Sequence, residues 1–109
     1  MSGLDWLGEF EQLVLLATLQ DEDAYGASIA KAIQERTGRT TSAGAVYTTL
    51  DRLEKRGLVT STWGEATPER GGKRKRHFRL RPAGREALAR SIRAVRVMSR
   101  GVTPKLERS

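Results

Sequence analysis

Ser42-Ala43-Gly44-Ala45-Val46-Tyr47-Thr48-Thr49-Leu50-Asp51-Arg52-Leu53-Glu54-Lys55-Arg56-Gly57 is the stretch on which the reading of the whole chain turns. Ser42 is a favoured N-cap residue and Gly57 a favoured terminator. Between them Ala43, Val46, Leu50 and Leu53 recur at the spacing of one helical face. At about 100° per residue, Gly44, Thr48, Asp51, Arg52 and Lys55 fall broadly opposite. That outer face is small and polar at its N-terminal end. This is what entry into a DNA major groove requires, because small residues let the helix backbone approach while Thr and Arg hydrogen-bond base edges. Tyr47 lies on the flank, where its hydroxyl could reach a phosphate. Asp51 suits such a surface badly, since it meets phosphate repulsion unless it pairs with Arg52, Lys55 or a cytosine amino group. An ordinary amphipathic helix shows the same period, so the flanking segments decide.

Upstream, Leu7, Phe10, Val14 and Ala17 recur at helical spacing, and Leu13, Leu15, Leu16 and Leu19 widen the apolar surface, so a first helix buried on several sides is expected. A second helix is expected over 27–37, with Ile29 and Ile33 one turn apart and Gly38 at its C-cap. Downstream, 58–63 turns toward β-branched residues and 77–80 alternates His77 and Arg79 against Phe78 and Leu80, which reads as two strands. The loop between them, 65–75, is too long for a tight turn and holds Pro68, Gly71 and Gly72, so it projects as a wing. Pro82 suits the first turn of a last helix with the stripe Leu88, Ile92, Val95 and Met98. That stripe runs over more turns than the body can cover and is expected to hold a homodimer, with help from the first helix. The fold class is therefore mainly α with a small β-hairpin: a winged helix-turn-helix over 1–81, a dimerisation helix over 82–100 and a disordered tail over 101–109.

Charge is unevenly placed in this 109-residue chain of net charge +7. Residues 1–30 hold six acidic side chains and no Lys or Arg, so the remainder carries the whole excess. Within it, 65–81 holds Arg70, Lys73, Arg74, Lys75, Arg76, Arg79 and Arg81 against Glu65 and Glu69. A local basic cluster is the footprint of a polyanion, because neutralised phosphates release condensed counterions. Arg70, Lys73, Arg74, Lys75 and Arg76 on the wing would reach phosphates or the minor groove beside the recognition helix. The Gly-Gly-Lys run is no P-loop, since it lacks the leading glycine and the following Ser or Thr and enters no helix.

Composition excludes several other classes. With no cysteine there are no disulfides, thiol nucleophiles or thiolate metal sites, and a lone histidine, His77, argues against a metal centre or a histidine dyad. Glu9 and Glu11 lie on different helical faces, so no carboxylate pair is arranged for acid-base work. No apolar run approaches the ~20 residues of a membrane span, and acidic residues stand where a signal peptide carries basic ones. A soluble cytoplasmic protein that is not an enzyme and has neither metal nor cofactor is expected. Trp63 is expected to pack at the base of the hairpin, and His77 to face solvent or phosphate beside Arg79. Trp6 suits either a dimer seam or local packing.

Five stretches together resemble the PadR family of bacterial transcriptional regulators: 13–17 (LVLLA), 24–26 (AYG), 42–50 (SAGAVYTTL), 53–59 (LEKRGLV) and 78–80 (FRL) followed by Pro82-Ala83-Gly84. The resemblance runs from about Leu7 to Leu88 and implies a dimeric winged-helix repressor of the family's short subfamily, with a single C-terminal helix at the dimer interface. It places DNA contact on Ser42, Gly44, Tyr47, Thr48 and the basic wing. Many members have tyrosines where His77 and Phe78 stand, and Thr where this chain has Arg81, which removes the expected N-cap of the last helix. Some short members stack flat aromatic ligands on a tryptophan of that helix. No Trp lies within 81–109, so that effector chemistry is not supported and any effector is unknown.

The expected function is that of a homodimeric regulator, a repressor, reading a palindromic duplex DNA operator, with Arg52 joining Thr48 at the bases. Two alternatives use the same features. A small basic RNA-binding protein would need no two-fold symmetry, and a winged-helix module that binds proteins would keep the wing as a solvated loop.

Overall fold

The computed structural model describes residues 6–64 and 74–107. Its order is α1 (Glu9–Leu19), α2 (Gly26–Thr37), α3 (Ala43–Lys55), β1 (Val59–Trp63), β2 (Arg76–Leu80), α4 (Pro82–Ser99) and α5 (Thr103–Glu107). The winged helix-turn-helix expected from the sequence is the fold observed.

Local chemistry sets most of the boundaries. Glu11 reaches back to accept from the Gly8 N–H at the start of α1 (2.8 Å), and Ser28 accepts from the Tyr25 N–H at the start of α2 (3.0 Å). Ser42 caps α3 by accepting from the Ala45 N–H at 3.0 Å, as its position implies. That helix stops because Gly57 turns left-handed at φ +77°, which lets the Gly57 and Leu58 N–H groups bond back to Glu54 and Leu53. Arg81 stands at the N-cap of α4 without a side-chain cap, and Pro82 opens the helix in its place.

The core is one cluster. Val14 and Leu15 of α1, Ile29 and Ile33 of α2, and Val46, Leu50 and Leu53 of α3 meet Leu58, Val59 and Phe78 of the hairpin and Ala87 and Leu88 of α4. Strands β1 and β2 are antiparallel, in the register Val59 opposite Leu80 through Trp63 opposite Arg76. Beyond β2 a third chain segment pairs with the hairpin. Tyr25 forms a bridge with His77, and the Phe78 N–H donates to the Ala24 carbonyl at 2.9 Å. The hairpin is thereby fixed to the entry of α2.

Three expectations change. Leu88 is only 3% exposed and belongs to the protomer's own core, since the first half of α4 packs on α1, where the Leu7 N–H donates to buried Ser91 (3.1 Å). Ile92 is half-buried against that core, whereas Val95 (61%) and Met98 (78%) stand exposed. Leu19, read as part of a nearly all-round apolar helix, is exposed at the end of α1. The tail past Gly101, expected to be disordered, carries α5. Pro104 presets the backbone of its first turn, and the Lys105 and Leu106 N–H groups bond to the Val102 carbonyl. Among the described residues, no helix is long and apolar enough to cross a membrane and no cluster of His, Cys, Asp and Glu is grouped as a metal site.

Candidate nucleic-acid interface

Val46, Thr49, Leu50 and Leu53 turn α3 inward, and this leaves Ser42, Gly44, Ala45, Thr48, Asp51, Arg52 and Lys55 exposed along one side. A Cβ on Gly44 would meet nothing nearer than the Ser42 hydroxyl at 3.8 Å, so the backbone lies bare at the N-terminal end of this face. The Thr48 hydroxyl donates to the Gly44 carbonyl at 3.0 Å. Its proton is thus occupied within the helix, and its oxygen lone pairs remain for a donor such as a base amino group. Arg52 is exposed and has no ion-pair partner among the described residues.

Tyr47 takes a different place from the other expected contacts. Its ring packs on Gly26, where a Cβ would come within 2.3 Å of Cε2, and stands 6.0 Å from the Phe78 ring. Half-buried in this way, it joins α3 to the start of α2.

The wing residues divide in three. Arg70 and Lys73 lie outside the described residues. Arg74 is exposed, donates from Nε to the Gly64 carbonyl at 2.9 Å, and lies over the Trp63 ring at 5.8 Å. Trp63 is 58% exposed, contrary to the packed position expected of it: alternation puts it on the same side as Val59, but it ends the strand, beyond the buried residues of the core. Lys75 sets its ammonium 4.3 Å from the centre of the Tyr25 ring.

Arg76, expected to contact DNA, is engaged by partners within the protein. Its Nη1 donates to Asp51 at 3.0 Å, its Nη2 to Glu54 at 2.5 Å and its Nε to Ser61 at 3.1 Å, with the guanidinium 4.9 Å from the Phe78 ring centre. Asp51 is therefore paired, but from across the hairpin rather than by Arg52 or Lys55. His77, expected to face outward, is half-buried instead. Its Nδ1 lies 3.1 Å from the Asp23 carbonyl, and its ring meets Tyr25 edge-on at 5.9 Å. A carbonyl only accepts, so this is a hydrogen bond when Nδ1 carries the proton.

Reading the sequence missed Tyr25 as a structural member of this surface. The available signal was an aromatic residue directly before the glycine that opens α2. Contacts of Tyr47 with Gly26 and of Arg76 with Asp51 and Glu54 tie α3 to the entry of α2 and to the base of the wing, where Arg52, Lys55 and Arg74 stand exposed. The acidic side chains of α1 are used elsewhere, Glu9 pairing with Arg39 at 2.5 Å and Glu11 with Arg56 at 3.1 Å.

Helices α1 to α3 followed by a β-hairpin define a winged helix-turn-helix protein. The model of the PadR-like transcriptional regulator family matches residues 15–90, and the chain belongs to that family, whose members are transcriptional regulators and not enzymes. A transcriptional regulator of Mycobacterium tuberculosis is 34% identical over 91 residues, 84% of this chain and 80% of that protein. An uncharacterised 37.1 kDa protein in a transposon of Streptomyces fradiae is 35% identical over 88 residues, 81% of this chain but only 24% of that protein. Among solved structures, a PadR family regulator from Eggerthella lenta superposes with a TM-score of 0.72 at 28% identity, covering 92% of this chain and 83% of its own. One from Clostridium difficile superposes with a TM-score of 0.73 at 24% identity, covering 91% and 99%.

Proposed function

We propose that this regulator acts in the cytoplasm as a homodimeric repressor that binds a palindromic operator, reading bases with α3 and gripping the backbone with the wing. The observation that carries the reading is the open N-terminal half of α3, where Ser42, bare Gly44 and Thr48 stand exposed on a helix whose opposite face is core. Ser42, Gly44, Thr48 and Arg52 are the proposed recognition residues and the Tyr47 hydroxyl a backbone contact. Arg70, Lys73, Arg74 and Lys75 are the proposed wing contacts. The homodimer is supported by Val95 and Met98, large apolar side chains left bare on the far half of α4, with half-buried Ile92 between them and the core. A two-fold axis through that seam buries both copies of the stripe in one self-complementary patch.

Thr48→Ala tests the reading. Without a base-directed hydroxyl, binding to the preferred duplex is expected to weaken by about 1–3 kcal/mol, and binding to a scrambled duplex to stay almost unaffected. An equal weakening on both duplexes would remove base reading from α3. Preferred binding to bulk RNA over duplex DNA would favour a different class of partner altogether.

A further inference from the structure

We propose that Arg76 is a positioning residue for DNA recognition, which neutralises Asp51 on the outer face of α3 and ties the wing strand to that helix without itself binding phosphate. The inference rests on the reading of α3 as the DNA-reading helix. Asp51 is half-exposed on the same face as Thr48 and Arg52, where a free carboxylate would oppose the phosphates. Its neighbours Arg52 and Lys55 make no pair with it among the described residues. The cation that does so comes from β2. Arg76 lies two residues before Phe78, so alternation turns it to the inner side of the hairpin, over the Phe78 ring and toward α3. Three of its donors are committed to α3 and β1, and the Ser61 hydroxyl that accepts from Nε donates in turn to Glu54 at 2.8 Å. The side chain is 24% exposed. Moving it to a phosphate would break both ion pairs and leave Asp51 and Glu54 unpaired beside the DNA backbone. Arg76 thus spends its charge inside the protein, while Arg74 keeps its own for the ligand.

The test uses the full chain with Arg76→Gln, Asp51→Asn and the double variant. Affinity is measured for the selected operator across a salt series, and circular dichroism shows that each protein is folded at the assay temperature. Arg76→Gln is expected to lower operator affinity on the order of tenfold with the salt slope of the wild type, and the added Asp51→Asn to restore most of it. A slope shallower by about 0.9 per protomer with no rescue would show that Arg76 grips a phosphate directly and overturn the proposal. Undiminished affinity in Arg76→Gln would overturn it as well. Should Arg76→Gln unfold, Asp51→Asn alone decides. Affinity held or raised supports the role of Asp51 as a charge to be masked, whereas reduced affinity would make Asp51 a base reader and defeat it. Wild-type protein with no duplex preference would instead defeat the parent reading, which the wild-type titration reports separately.

Discussion

Replacing Gly84 by Ala should reverse the ordinary outcome for a glycine inside a helix. Gly84 lies in the first turn of α4, and helix propensity alone would make Ala more stable by up to about 1 kcal/mol. A Cβ built there, however, stands 2.1 Å from the Leu58 carbonyl oxygen and 3.0 Å from its carbon. Relief to 3.0 Å from the oxygen requires about 0.9 Å of backbone movement. Neither side gives easily, because the Leu58 oxygen accepts from the Arg81 N–H at 2.9 Å, the Leu58 N–H bonds to Leu53, and the Leu58 side chain is buried. Overpacking costs about 1–3 kcal/mol, and a 2.1 Å approach to a backbone oxygen held on both sides belongs to the upper part of that range, about 2–3 kcal/mol, so after the propensity gain of up to about 1 kcal/mol the net destabilisation should be about 1–2 kcal/mol. For a domain of this size that lowers the melting temperature by roughly 5–15 °C. Thermal melts by circular dichroism should be compared at one protein concentration, since dimerisation would make the midpoint concentration-dependent. An unchanged or higher melting temperature would refute the reasoning, because it would mean that the approach to Leu58 does not seat α4.

Val95→Asp with Met98→Asp should yield folded monomers, read as a halved mass by light scattering; an unchanged dimer mass would move the interface elsewhere. Arg74→Ala should weaken binding to operator and scrambled duplex alike and reduce the salt slope by about 0.9 for each phosphate that the arginine neutralises. A weakening confined to the operator would instead make Arg74 a base reader.

The elements that read most directly are those whose residues answer to local rules. The period of Val46, Leu50 and Leu53, the cap at Ser42 and the turn at Gly57 specify α3 and the exposure of Thr48 without reference to the rest of the chain. Where sequence and structure part, the outcome depends on what is brought alongside in space. Leu88 and Val95 sit in one periodic stripe, but only the position of α1 decides that Leu88 is core and Val95 is bare. Two strands by themselves suggest a free edge and an outward His77; the pairing of residues 24–25 with β2 is non-local and occupies that edge. The inward course of Arg76 is the most legible of these differences. Sharing a strand face with Phe78, it points inward by alternation, yet the run of charge around it suggests solvent.

In the proposed complex, two copies of α3 read two halves of one DNA site. Selection of bound duplexes from a random library by the full-length protein measures this directly. The expected product is an inverted repeat whose half-site centres lie about 34 Å apart, one helical turn, so that two recognition helices enter successive major grooves on one face. A pool without sequence enrichment, or one converging on a lone asymmetric half-site, would contradict it.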